Sequence, residues 1–73
     1  MKYKEGDSVK VKSKGWYDYS KKENGDVEAG GEFFVDLMAQ YCGMDAVITR
    51  ADTDDYSLDI DEGKFYWTDE MFE

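Results

Sequence analysis

The last thirty residues constrain this chain most, because apolar side chains alternate there with almost no interruption. Apolar residues stand at Ala46 and Ile48, at Tyr56, Leu58 and Ile60, and at Phe65 and Trp67. Turn-forming residues separate the runs, so three short half-buried strands are predicted near 45–51, 55–61 and 64–68. Asp61-Glu62-Gly63 joins the last pair and supplies the glycine that a positive φ requires. This pattern predicts a small, mainly β fold closed as a barrel.

The first strand is read near 8–13, after a Gly6-Asp7 turn, where Val9 and Val11 alternate with Lys10 and Lys12. From 14 to 31 the periodicity fails. Gly15, Asn24-Gly25-Asp26 and Gly30-Gly31 punctuate a polar stretch holding Trp16, Tyr17 and Tyr19, so a long loop is expected. Loops of this length in compact domains commonly carry function. Helical spacing occurs once, with Phe34, Leu37, Met38 and Tyr41 at i, i+3, i+4 and i+7 and Gly43 placed to end the helix. A short helix over about 33–42 is predicted to lie across an open end of the barrel. Thr68 or Asp69 is expected to cap one final helical turn that returns Met71 and Phe72 to the core. The chain contains no proline, so every strand residue keeps its amide donor.

With 73 residues and no internal repeat, one domain is expected, burying roughly 60% of its unfolded surface. The aromatic content of 16% enlarges a small core, since each ring buries about 150–250 Å². The expected core is Val9, Val11, Phe34, Leu37, Met38, Ala46, Ile48, Leu58, Ile60, Phe65, Trp67 and Phe72.

A resemblance accompanies these positions. Gly6-Asp7-x-Val9-x-Val11, Met38-x-x-Tyr41-Cys42-Gly43 leading to Ala46-x-Ile48, Tyr56-x-Leu58-Asp59, and Phe65-x-Trp67-Thr68-Asp69-Glu70-Met71-Phe72 resemble small single-domain SH3-like barrel proteins of bacteria and phages. The order of strands is similar to the Mind-bomb-type and KOW-type branches. The resemblance covers nearly the whole chain outside 14–31 and implies a five-stranded antiparallel barrel, with no activity attached, because such barrels host many functions. Trp16-Tyr17-Asp18-Tyr19-Ser20 looks like the aromatic motif of a polyproline groove, but there the motif precedes the Gly-Asp strand and here it follows. A polyproline groove is therefore not expected.

Catalysis and metal binding are disfavoured by the inventory. The chain has no histidine and one cysteine, Cys42, so no imidazole generates a thiolate and neither a disulfide nor a thiolate zinc site forms within the chain. Cys42 reads as a small buried hydrophobe. The carboxylates at Asp52, Asp54 and Asp55 and at Asp59, Asp61 and Glu62 miss a calcium loop's register, since Gly63 is fifth counting from Asp59 and Ser57 is sixth counting from Asp52. They read as solvated turn residues, with Asp59 and Asp61 facing outward. Gly30-Gly31 runs into Glu32, which would repel a phosphate. The chain is thus expected not to be an enzyme, and to take no metal or cofactor.

The N-terminus lacks an apolar leader core and no long apolar run follows, so a monomeric cytoplasmic protein with no membrane segment is expected. Two function classes remain. One is a protein-interaction module using rings the strands do not claim, Trp16, Tyr17, Tyr19 and Tyr66; one or two of the loop rings could instead pack as a lid on the barrel. The other is an acidic nucleic-acid mimic that occupies a DNA-binding protein.

Charge decides against direct nucleic-acid binding. Residues 1–22 carry seven lysines against three carboxylates, a balance of +4, whereas residues 23–73 carry two cations against fifteen, a balance of −13. With a screening length of about 8 Å at physiological salt, the few N-terminal lysines do not offset that field. Titration with random duplex and single-stranded DNA at physiological salt should show no binding; micromolar affinity that falls steeply with added salt would reverse this reading.

Overall fold

The structure, a computed structural model, describes residues 2–73. Five strands form two antiparallel sheets: β1 (Ser8–Lys10), β4 (Asp45–Ala51) and β5 (Tyr56–Leu58) in the order β1-β4-β5, and a hairpin of β2 (Val27–Ala29) and β3 (Glu32–Phe34). The two sheets are separate and not closed on one another, so the ladder stops short of the continuous barrel expected.

The alternation read from the sequence builds the larger sheet. Val9 pairs with Ala46, and both are buried while Lys10 and Asp45 face solvent. The β4–β5 register shifts between Ile48 and Arg50, a bulge that bends the sheet. Strand β5 is shorter than the predicted 55–61 and is buried on both faces, because Arg50 lies over it and donates Nε to Ser57 Oγ at 3.1 Å.

The segment 14–31 is a correction, since it is not a long loop. It holds helix α1 (Lys14–Ser20) and all of β2. Ser13 Oγ accepts from the Trp16 amide at 3.1 Å and caps the helix, whose single buried residue is Tyr17. A helix of seven residues gains little from propensity and rests on packing, here of the Tyr17 and Trp16 rings against Phe34 at 5.7 and 5.2 Å. Gly30 and Gly31 form the two-residue β2–β3 loop with φ of +66° and +89°, the type I′ signature. A side chain at Gly30 would also meet Thr68 Oγ1 at 2.8 Å.

The predicted helix over 33–42 is likewise corrected. Phe34 ends β3, and residues Asp36–Tyr41 form a 3₁₀ helix. Its period of three stacks Val35, Met38 and Tyr41, whereas an α-helical period would have turned Leu37 inward. Leu37 is instead 65% exposed and leaves the core. Residues 64–68 do not form a strand; only Trp67 bridges, to Tyr56. The final helical turn is present at Asp69–Met71, but Thr68 does not cap it with its side chain; Oγ1 donates to the Ala29 carbonyl at 2.8 Å.

Nine of the expected core residues are buried, Ile60 and Phe65 are half-buried, and Tyr17, Val27, Ala29, Tyr56 and Met71 join them. Trp67 sits at the centre, with Phe34, Tyr41 and Phe72 ring centroids 5.9, 6.1 and 6.3 Å away. Asp61, expected on the outward face, is only 4% exposed. Its Oδ2 accepts from Trp67 Nε1 at 3.1 Å and from the Phe65 amide at 2.8 Å, and Oδ1 accepts from the Gly63 amide at 3.2 Å.

Removing that carboxylate leaves the buried Trp67 Nε1 donor unpaired, at about 1–3 kcal/mol, and takes the acceptor from two part-buried amides, at about 1 kcal/mol each. Asp61→Ala should therefore lose about 3 kcal/mol or more in urea denaturation, comparable to Trp67→Ala. Asp61→Asn, which keeps one acceptor oxygen, should lose less; equal stability of Asp61→Ala and wild type would show that the carboxylate is dispensable.

Candidate functional site

Helix α1 rotates each successive side chain by about 100°, so the aromatic residues expected to act together are dispersed. Tyr17 points into the core at 4% exposed and donates its hydroxyl to the Gly25 carbonyl at 2.6 Å. It is a structural ring, which corrects its reading as a partner anchor. Trp16 is half-buried, with its edge on Phe34 and Lys12 Nζ 5.8 Å from its ring centroid. Tyr19 is 93% exposed and Tyr66 is 58% exposed. Neither makes a ring contact with the other two among the described residues.

The larger concavity lies beside Trp16. It is an open groove of about 420 Å³ lined by Lys12, Trp16, Ser20, Lys22, Val27, Glu28, Ala29 and Glu70. Trp16 and Ser20 stand one helical turn apart on one bank, and β2 forms the other. The lysines of this region differ in their partners. Lys14 and Lys21 both reach Asp18, at 3.0 and 3.7 Å, and hold its carboxyl below the usual range, chiefly through the Lys14 hydrogen bond. Lys12 and Lys22 make no ion pair among the described residues. Both border the groove together with Glu28 and Glu70, and Lys12 has its Nζ over the Trp16 ring.

Only Trp16 of this lining was legible as a site residue. Reading Ser13 as a helix cap would have set Trp16 and Ser20 on one helical face, but no spacing signals Lys12, Lys22, β2 or Glu70 as their neighbours.

A smaller concavity of about 260 Å³ is lined by Gly30, Thr53, Asp54, Tyr56, Thr68, Asp69 and Glu70. Two of its hydroxyls have protein partners: Tyr56 Oη donates to Asp69 at 2.5 Å and accepts from the Tyr3 amide at 3.1 Å, and Thr68 is committed to Ala29. The acidic turn is also internally occupied, because Asp52 and Asp55 each reach Arg50 at 2.9 Å. Among the described residues no three metal-ligating side chains converge. Burial of the half-buried Cys42 pushes its thiol up from its ordinary value, which keeps it protonated at neutral pH. No helix of the described residues is long and apolar enough to cross a membrane.

Comparison with protein-family models, with curated proteins and with solved structures found no match.

Two buried tyrosines carry a pH signature. Burial, followed by the charges of Asp36 and Asp26, raises the Tyr17 hydroxyl above its ordinary 10.0, and burial with the Asp69 hydrogen bond raises Tyr56. The folded state thus favours both neutral phenols, so their contribution is fully present below the unfolded value and is lost as pH rises through the folded ones. The urea midpoint should fall steeply above about pH 10. Tyr17→Phe should make that fall shallower, whereas Tyr66→Phe should leave its slope unchanged; identical slopes in all three proteins would contradict the placement of Tyr17.

Proposed function

We propose that this chain is a non-catalytic protein-interaction module of the SH3-like barrel kind, working through the groove between α1 and β2. The observation that carries the reading is the convergence on one concave surface of a half-exposed tryptophan and two lysines that make no ion pair among the described residues. Interfaces draw most of their energy from a few aromatic or charged anchors set in such a pocket. Tyr19 extends the same helix beyond the groove as a wholly exposed ring. Tyr66 lies elsewhere in the chain and serves as a second, independent anchor.

The barrel assignment is supported by the C-terminal segment, which touches both edges of the larger sheet. Trp67 bridges Tyr56 on β5, and Phe72 bridges Val11 beyond the end of β1. The amide of Lys12 donates to the Met71 carbonyl at 2.9 Å, and that of Glu73 to the Lys10 carbonyl at 2.8 Å. A short helical turn between the two bridges takes the place of a continuous final strand.

No specific arrangement favours nucleic-acid mimicry. The carboxylates are spread over α1, β2, β3, β4, both 3₁₀ segments and the turns, and Asp7, Asp18, Asp52 and Asp55 already face cations within the chain.

The test is capture from extracts of the native host by immobilised protein. Lys12→Gln combined with Lys22→Glu should keep the melting temperature within a few degrees, because surface changes away from packed features stay within about 0.5 kcal/mol each, yet should lose the retained protein. Retention by this variant, with release on charge reversal of Asp52, Asp54, Asp55 and Asp59, would place the working surface on the acidic side and favour mimicry.

A further inference from the structure

Helix α1 and strand β2 are joined by a tight turn containing Asn24-Gly25, and Asn24 is the one asparagine of the chain. The turn requires its glycine. Gly25 has a φ of +89°, and a side chain there would meet Asp36 Cβ at 3.4 Å and Tyr17 Oη at 3.5 Å. Asn24 itself is exposed, so its carboxamide stands in water. With no Cβ on the following residue, the backbone nitrogen of Gly25 is the least hindered nucleophile that an asparagine side chain can meet. The pair that shapes the turn is therefore also chemically reactive.

Hydrogen bonds hold the reacting atoms apart in the folded chain. The Gly25 amide donates to the Lys22 carbonyl at 2.9 Å and closes a β-turn over Glu23 and Asn24. Neither central residue has a positive φ, which leaves a type I turn. In that turn ψ of the second central residue is about 0°, so the Gly25 nitrogen is turned away from the Asn24 side chain. Asn24 Oδ1 accepts from the Asp26 amide at 3.0 Å, and the Lys22 amide donates to the Asp26 carbonyl at 2.9 Å. Tyr17 completes the clamp. Its hydroxyl donates to the Gly25 carbonyl at 2.6 Å, which ties the turn to the single buried residue of α1.

Local opening removes this protection. The Gly25 nitrogen gives its proton to water and bonds to Asn24 Cγ; the Cγ–Nδ2 bond breaks, and ammonia leaves after taking a proton from water. A five-membered succinimide results. Water then opens the ring at one of its two carbonyls. Addition at Cγ leaves an aspartate in an ordinary chain, and one of its oxygens can still accept from the Asp26 amide. Addition at the backbone carbonyl leaves an isoaspartate, which routes the chain through Cβ and Cγ and lengthens it by one carbon. The turn then no longer closes in the same register, and the Gly25 carbonyl leaves the Tyr17 hydroxyl.

We propose that Asn24 is a site of spontaneous deamidation, that the Tyr17–Gly25 clamp sets its rate, and that the isoaspartyl product unties α1 from the turn leading to β2. The site is independent of what the groove binds.

The test is incubation of the full chain at physiological temperature and pH, with conversion followed by mass spectrometry beside a free peptide spanning residues 21–27. The chain should convert at position 24 more slowly than the peptide, by the factor that protects the Gly25 amide from hydrogen exchange and within about threefold of it, since one opening exposes both. Tyr17→Phe should speed exchange and conversion together by about fivefold, the effect of one net hydrogen bond. Asn24→Gln, whose longer side chain closes a ring less readily, should accumulate no product. The isoaspartyl fraction, separated by ion exchange, should melt about 4–8 °C below Asn24→Asp. Conversion as fast as in the peptide would overturn the clamp, and a chain that stays amidated while its Gly25 amide exchanges freely would overturn the site. An unchanged rate in folded Tyr17→Phe would overturn the role of the tyrosine; if that variant unfolds, the match between exchange and conversion in the wild type decides. Equal melting of the isoaspartyl chain and Asn24→Asp would overturn the release of α1.

Discussion

The buried Asp61 carboxylate, and above all its bond from the Trp67 indole, organises the C-terminal third of the molecule. It accepts from three donors within six residues, folding 61–65 into a turn around itself. That turn delivers Trp67 to the middle of the core, edge-on to Phe34 and Tyr41. Once Trp67 is bridged to Tyr56, the chain can only continue across the sheet toward Val11, where Phe72 bridges. On the way, Thr68 donates to Ala29 and joins this segment to the β2–β3 hairpin. Satisfied on three sides, a carboxylate at the base of the core fixes direction where a hydrophobic residue would fix only burial.

What was legible in the sequence follows from what a periodic signal can report. Strands β1 and β4 alternate in a way that local reading detects, and they and the last helical turn stand where expected. Strand β2 lies in the stretch punctuated by Asn24-Gly25-Asp26 and Gly30-Gly31, and Phe34 of β3 also fits a helical spacing with Leu37, Met38 and Tyr41, so neither strand showed as a period of two. Helix α1 shows no apolar stripe because it buries one tyrosine and is otherwise held by the Ser13 cap. The 3₁₀ segment defeated the helical template through its shorter period, which moved Leu37 out and kept Met38 in. Asp61 was read as solvated because aspartate is rarely buried unless its partners are known, and those partners are amides and an indole, which leave no trace in spacing.

The same limits shaped the site. Residues Trp16, Tyr17, Tyr19 and Tyr66 drew attention because the alternation of strands did not assign them to the core, and that criterion does not separate a ring buried by a helix from one in solvent. Tyr17 belongs to the first kind and Tyr19 to the second. Lys12 and Lys22 were invisible as a pair, being ten positions apart and joined only when α1 folds against β2.

The groove sets Lys12 and Lys22 beside Glu28 and Glu70, so its local charge is balanced although the chain as a whole carries a net charge of −9. The groove is also stiff where it matters. Trp16 rests on Phe34, and Phe34 in turn rests on Trp67, so the ring facing the occupant is braced by the same indole that Asp61 anchors. Little ordering then remains for Trp16 should a partner contact it, and a small surface retains more of its contact energy when its anchor is already braced.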